Sequence, residues 1–176
     1  YAGGLGVLAG DYLKAAYDAR LPVVGIGILW ANDYTEQYID ESGRPYDVYP
    51  NYEYHMAKDT GLSVHVQIRG EDVVCRVKLV DCYGNAPLYL LDTNFPGSRH
   101  GWMTGKLYGG EAQDRIAAEM ILGIGGVRLL RALGREVDLY HFNEGHAVFA
   151  GLELIREKMA ERGMNFDAAW HETKFQ

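Results

Sequence analysis

Residues 23–30, Val-Val-Gly-Ile-Gly-Ile-Leu-Trp, form an unbroken apolar run opened by Pro22. The run is well short of the roughly 18 residues that a membrane span requires. With no polar residue to face solvent on either side, it reads as a parallel strand buried on both faces, the kind that α/β folds cover with helices. Gly25 and Gly27 inside it point to another backbone packed close by.

The flanking segments fit that frame. Apolar residues recur at Leu8, Ala9, Tyr12, Leu13, Ala16 and Tyr17, which predicts an amphipathic helix over 7–19. Segments 34–39, 63–69, 72–83 and 87–91 alternate or carry β-branched residues, and turn signals separate them. Gly70-Glu71 and Gly84-Asn85 read as tight turns between antiparallel partners. From Glu111 a helical stripe returns through Ile116, Met120, Ile121, Ile124, Val127, Leu130 and Leu133, closed by Gly134. A strand over 137–142, a turn at Asn143-Glu144-Gly145-His146, a helix over 147–162 ended by Gly163 and a last short helix capped near Asn165 complete the order. The expectation is an α/β, Rossmann-like three-layer domain with a parallel central sheet and an antiparallel β insertion. No repeat, low-complexity tract or linker divides the chain.

Composition excludes several functions. An apolar content of 48% belongs to a folded chain, and a net charge of −7 disfavours nucleic acid and anionic membranes, which need a basic face. Cys75 and Cys82 match neither a redox nor a zinc spacing, so they read as free thiols of a reducing, cytoplasmic setting.

Four segments carry candidate chemistry. Gly3, Gly4, Leu5 and Gly6 read as a glycine-rich loop running into a helix, where backbone N–H groups can approach an anion. Such a loop follows a strand in a Rossmann-like unit, so the chain reads as a piece of something larger. The series Gly4-x-Gly6-x-x-x-Gly10 imitates a dinucleotide loop, but no acidic residue follows at the ribose position. Gly123-x-Gly125-Gly126 lies within the helical stripe, which points to close helix packing and not to phosphate. His141, Asn143, Glu144 and His146 fall just past the end of a predicted strand, where open α/β sheets bind ligands. Their spacing is not that of a zinc site, and they read as a polar pocket wall or, for Asn143, a helix cap. Tyr108, Gly109, Gly110 and Glu111 end a long polar loop carrying Arg99, His100 and Lys106, which reads equally as a gate or as a solvated loop. The tyrosines at 34, 38, 46, 49, 52 and 54 suit either sugar stacking or half-exposed strands.

The segments at 1–11 (Tyr-Ala-Gly-Gly-Leu-Gly-Val-Leu-Ala-Gly-Asp), 21–29 (Leu-Pro-Val-Val-Gly-Ile-Gly-Ile-Leu) and 87–94 (Pro-Leu-Tyr-Leu-Leu-Asp-Thr-Asn) stand together in one order. They continue at 107–111 (Leu-Tyr-Gly-Gly-Glu), 122–134 (Leu-Gly-Ile-Gly-Gly-Val-Arg-Leu-Leu-Arg-Ala-Leu-Gly) and 141–147 (His-Phe-Asn-Glu-Gly-His-Ala). In that order the chain resembles the N-terminal domain of the α-glucan phosphorylases, the glycogen, starch and maltodextrin phosphorylase family, in its bacterial and archaeal branch.

The resemblance implies half of a two-domain GT-B glycosyltransferase, with 1–176 a partial N-terminal domain truncated at both ends. It implies retaining phosphorolysis of α-1,4-glucan to glucose 1-phosphate with pyridoxal 5′-phosphate, whose lysine lies outside this chain. No catalytic residue or metal is expected here, and the isolated chain is expected to be inactive and to bind no cofactor. By the same resemblance Gly3, Gly4, Leu5 and Gly6 face phosphate and sugar, Asn143, Glu144 and His146 line the glucose pocket, and Tyr108 to Glu111 form the gate. The implied partners are α-1,4-glucan, inorganic phosphate or glucose 1-phosphate, and the C-terminal domain, with a homo-oligomer allowed for the full-length protein. Glu36, Ala118 and Glu111 depart from the usual arginine, glutamine and aspartate. Other readings are a glycogen or starch synthase-like glycosyltransferase domain, in which Tyr1 would replace the usual lysine, a non-catalytic carbohydrate-binding fragment, and a dinucleotide-binding domain.

Overall fold

A computed structural model describes residues 3–32, 35–50, 53–107 and 111–174. Helix α1 (Gly3–Asp18) leads to strand β1 (Gly25–Ile28), and an exposed hairpin follows, formed by β2 (Glu36–Ile39) and β3 (Pro45–Val48). The long strands β4 (Lys58–Ile68) and β5 (Glu71–Val80) come next, then β6 (Leu88–Asp92). A 3-10 turn (Gly101–Thr104) precedes α2 (Ala112–Met120), a π-helical turn (Ile121–Gly125) and α3 (Gly126–Ala132), and α4 (Val148–Arg162) and α5 (Phe166–Thr173) end the order.

The main sheet runs β1-β6-β5-β4. Its β1–β6 pair is parallel, Gly25 opposite Leu88 and Ile28 opposite Leu91, whereas β5 is antiparallel to both β6 and β4. The expected parallel sheet with a separate antiparallel insertion is therefore corrected to one mixed sheet. The alternating strands extend the central sheet because β6 pairs on both of its edges. At the β4–β5 turn Arg69 and Gly70 both have positive φ (54° and 78°), the primed geometry whose twist matches the flanking strands.

Alternation on β4 and β5 sends Val64, Val66, Val73, Cys75 and Val77 to one face, where they pack with Leu91, Ile121 and Leu129 in the main core. The opposite face near β1 is covered by α1: a Cβ at Gly25 would stand 3.1 Å from Leu13 and 2.9 Å from Leu88. On the core side, a Cβ at Gly126 would stand 3.1 Å from Ile26, and one at Gly125 3.1 Å from Leu91. The sheet thus lies between α1 and the α2–α3 layer, and the glycines set the spacing. Burial raises the Cys75 thiol to about 12, which leaves it an inert core group.

Two expected boundaries move. The helix begins at Gly3, so Gly3 to Gly6 form its first turn and not a loop ahead of it. Low glycine propensity hid this, because only Gly3 takes a positive φ (60°) there. The expected strand over 137–142 joins no ladder, since β1, the parallel partner it would need, stands across a cleft. By contrast α4 ends where Gly163 turns left-handed (φ 64°), and the Asn165 side chain accepts from the Ala168 amide, as the sequence predicts.

A second layer of helix packs on the first through charge as well as apolar contact. Glu153 of α4, only 3% exposed, accepts from Arg128 at 2.8 Å and from Arg156 at 2.9 Å, while Arg131 reaches Glu157 at 2.8 Å. Arg128 also donates to the His65 carbonyl at 2.6 Å, which ties β4, α3 and α4 together. Burial alone would raise the Glu153 carboxyl, but the two arginines outweigh it and hold it below the ordinary glutamate value.

Two predictions follow from this packing. A Cβ at Gly123 would lie 2.5 Å from the Ala150 backbone nitrogen, whereas Gly151 has open space around it. Gly123→Ala is expected to cost several kcal/mol in denaturant unfolding, on the scale of other overpacked cores. Gly151→Ala, in the same assay, gains up to about 1 kcal/mol from helix propensity. Glu153→Gln is expected to lose about 2 kcal/mol at neutral pH, the scale of a hydrogen bond to a charged group. Because the native carboxyl titrates below 4.5, its contribution is full above that pH and drains away as pH falls through the lower native value. Urea titrations of both proteins from pH 7 to pH 3 should therefore converge, and a gap that stays constant contradicts the assignment.

Candidate active-site cleft

The amino end of α1 and the turn that leads into α4 stand on the rim of one cleft. Its volume is about 1920 Å³, and it runs along β1 between α1, the α2–α3 layer and residues 137–142. Of the residues singled out from sequence, Gly6, Lys106, Glu111, His141, Asn143 and His146 line it, together with Trp30 and Asn32 just past β1. Gly3, Gly4, Leu5 and Glu144 lie outside that lining.

The first turn of a helix leaves its backbone N–H groups without intrahelical partners, and the helix dipole adds positive character there. Residues 3–6 offer that surface at the rim. A Cβ at Gly4 or Gly10 would meet nothing within 4 Å, so the chain's own packing does not require glycine at either position. A dinucleotide loop would need Gly4 and Gly6 in a turn ahead of the helix, and both lie inside α1.

Tyr12 of α1 stacks on His141, with ring centroids 5.8 Å apart and planes 11° from parallel, which joins the first motif to the third. His146 lies between two carboxylates, its Nδ1 within hydrogen-bond distance of Glu119 at 3.2 Å and its Nε2 3.8 Å from Glu144, too far for a hydrogen bond. Glu144 itself has φ 60°, a left-handed conformation that costs a residue with a Cβ on the order of 1 kcal/mol. Asn143 does not cap α4, whose N-cap is Ala147 without a side-chain bond. Half-buried on the cleft wall, its amide finds no hydrogen-bond partner among the described residues.

Glu111 caps α2, its own N–H donating to Asp114 at 3.2 Å, while Tyr108, Gly109 and Gly110 lie outside the described residues. The polar loop before them is tied down: the Thr93 amide donates to the Thr104 hydroxyl at 3.2 Å, and the Thr93 hydroxyl to the His100 carbonyl at 2.9 Å. Of its basic residues, His100 and Arg99 reach Glu71, and Lys106 sits 4.3 Å over the Tyr49 ring at the cleft edge. Several tyrosines serve internal contacts: Tyr38 stacks on Tyr46, and Tyr54 donates to the Trp30 carbonyl at 2.8 Å. Tyr34 and Tyr52 lie outside the described residues. Glu36 accepts from Tyr38 on the exposed hairpin, and Ala118 is buried at the cleft.

Sequence reasoning missed Glu119 and Tyr12 as members of the site. Both lie on helices whose apolar stripes drew the attention, and their partners are far away in sequence. Among the described residues no three metal-ligating side chains come together, and no helix is long and apolar enough to cross a membrane.

This arrangement brings the first turn of a helix, an amide and an imidazole onto one cleft of an α/β protein with a mixed sheet. No family model matches the chain. Among curated proteins, the glycogen phosphorylase of Mycobacterium tuberculosis is 36% identical over 184 aligned residues, covering 96% of this chain and 21% of that protein. The maltodextrin phosphorylase of Thermococcus litoralis is 38% identical over 175, covering 94% and 21%. The glycogen phosphorylase of Aquifex aeolicus is 32% identical over 186, covering 99% and 26%. The chain belongs to the α-glucan phosphorylase family, of whose members it spans about a fifth to a quarter of the length.

Proposed function

We propose that the full-length protein is a glycosyltransferase of GT-B architecture that cleaves α-1,4-glucan with inorganic phosphate. In that reaction a phosphate oxygen bonds to C1 of the terminal glucose and the C1–O4 bond breaks. The released O4 takes a proton, leaving glucose 1-phosphate and a glucan one unit shorter. The observation that carries the reading is the meeting of the α1 terminus, Asn143 and His146 on one cleft in a chain whose relatives are named phosphorylases. A cytoplasmic setting goes with it, supported by two free thiols.

In this reading the amides of Gly3, Gly4 and Leu5 take the phosphate, with Gly6 opening the approach to the cleft. Such donors are already oriented, so they need no reorganisation as charge develops. Asn143 donates its unpaired amide to a sugar hydroxyl. His146, hydrogen-bonded to Glu119 through Nδ1, presents the other side of its ring to another, and residues 108–111 serve as the gate. Pyridoxal 5′-phosphate would supply the acid/base phosphate group. The residues present do not fit its attachment, since the sole lysine on the described cleft wall, Lys106, is engaged with Tyr49. The lysine that would attach the cofactor is therefore assigned to the remainder of the protein.

Full-length protein supplied with maltodextrin, phosphate and pyridoxal phosphate should release glucose 1-phosphate. Consumption of a nucleotide-sugar donor with no glucose 1-phosphate would refute the proposal in favour of a synthase. Within it, Gly4→Val should raise the KM for phosphate at least tenfold, the equivalent of about 1.4 kcal/mol, less than one charge-assisted hydrogen bond. Because a Cβ there meets nothing in the chain, the circular dichroism spectrum should not change. An unaltered KM would remove the anion role from this turn.

A further inference from the structure

The two ring nitrogens of His146 are not equivalent. Nδ1 lies 3.2 Å from Oε1 of Glu119, which stands on the last turn of α2. Arg115, one turn earlier on the same helix, donates from Nε to that same oxygen at 3.1 Å. All three side chains line the cleft, and the Glu119–His146 contact is partly buried. A bridge from α2 to the turn before α4 could be made by any donor of the right length. What an imidazole adds to such a bridge is a second nitrogen on the far side of its ring.

An ionised carboxylate is an acceptor only, and each of its oxygens can accept two hydrogen bonds. Two acceptors 3.2 Å apart would repel each other, so in the neutral ring the proton sits on Nδ1. The bond made by one nitrogen then sets the character of the other, and Nε2 keeps its lone pair. Its distance of 3.8 Å from the Glu144 carboxylate is that of two groups with no proton between them.

We propose, on the reading of this cleft as a sugar and phosphate site, that Glu119 is a positioning residue: it holds the His146 proton on Nδ1, so that Nε2 accepts a hydrogen bond from a ligand hydroxyl. Arg115 keeps Oε1 of Glu119 turned to the imidazole by donating to it. Asn143 offers an amide donor on the same cleft wall. A donor and an acceptor together match a hydroxyl, which both accepts and donates. A fully ionised phosphate oxygen can answer only the donor, and it would meet the Nε2 lone pair with the Glu144 carboxylate beside it. The turn at 143–146 therefore takes the neutral part of a sugar phosphate. The first turn of α1, which offers N–H groups alone, takes the anion. This difference in kind fixes which way round the ligand lies.

The test uses the full-length protein, with glucose 1-phosphate and maltooligosaccharide supplied in the reverse direction of the proposed reaction and monodeoxy glucose 1-phosphates as competitors. His146→Ala should leave the inhibition constant of one deoxy analogue unchanged, and that analogue lacks the hydroxyl His146 meets. The matching deoxyfluoro analogue, which can accept but not donate, should bind within about twofold of the deoxy one. Glu119→Ala should weaken glucose 1-phosphate at least about tenfold, the scale of one hydrogen bond, and leave that deoxy analogue as it was. Glu119→Gln, its amide oxygen kept toward the ring by Arg115, should bind within about threefold of the wild type. The proposal is overturned if His146→Ala spares no analogue, or if the fluoro analogue binds like the parent sugar, which makes Nε2 a donor. Equal losses for parent and deoxy sugar in Glu119→Ala also overturn it, since they make Glu119 purely structural. Should the alanine variants not fold, 15N spectra of histidine-labelled wild-type protein in mildly alkaline buffer decide alone: Nδ1 must be the protonated nitrogen of His146, and a proton on Nε2 refutes the assignment. A wild type that never turns over glucose 1-phosphate would overturn the phosphorylase reading instead, and the spectrum would still place the proton.

Discussion

The contact on which the rest of the molecule depends is the backbone approach made by Gly123, Gly125 and Gly126. These residues lie within one continuous helical run, where a Cβ at Gly123 would collide with the α4 backbone and one at Gly125 or Gly126 would press on Leu91 or Ile26. Interhelical distance is set by the side chains at the crossing, so removing them draws α4 in until its backbone touches the π-helical turn. Helical glycine costs roughly 1 kcal/mol relative to alanine. Burying Ile121, Val127 and Leu129 returns roughly 1.5–3 kcal/mol each, so the close approach is favourable in sum. The π-helical turn sits at this point and passes the buried face from Ala117 and Ala118 to Val127 and Leu129. Where α4 lies decides where the 143–146 turn lies, and hence whether His146 can meet Glu119. The packing therefore reaches the site through a single short turn.

Charge closes the same interface from the other side. Glu153 and Glu157 would be poor residues for a buried helix face on their own. They are tolerated because Arg128 and Arg131 stand opposite, one turn apart on α3, and because Arg128 continues to the β4 backbone. Buried ion pairs of this kind specify an alignment more than they stabilise it, and here the alignment is that of α4 along α3.

Much of this was legible in the sequence, and the exceptions have physical reasons. The period-two pattern at Val64, Val66 and Ile68, the stripe from Ile116 to Leu133, and the stops at Gly163 and Asn165 are local signals, and local geometry obeyed them. The mixed sheet was not legible because strand pairing is a long-range choice. Nothing in 88–92 says that one edge meets a parallel partner and the other an antiparallel one. The early start of α1 was hidden by glycines that read as loop. Segment 137–142 has the composition of a strand, yet a strand exists only with a neighbour. Of the site, sequence brought Gly6, Glu111, His141, Asn143 and His146 to notice, and the cleft unites them. Glu119 and Tyr12 gave no local sign, since each acquires its role only by folding against a histidine distant in the chain.

Glu144 illustrates how stability and shape trade against each other in such a turn. Its left-handed backbone would be free of strain in glycine, the residue that stands next to it as Gly145. What the glutamate supplies in place of that freedom is a carboxylate 3.8 Å from His146 Nε2. Efforts to harden this protein by relaxing strained backbone would find this position early and gain from it. They would also take away a carboxylate that stands beside His146 Nε2, so the backbone would gain stability while the cleft rim lost a charge.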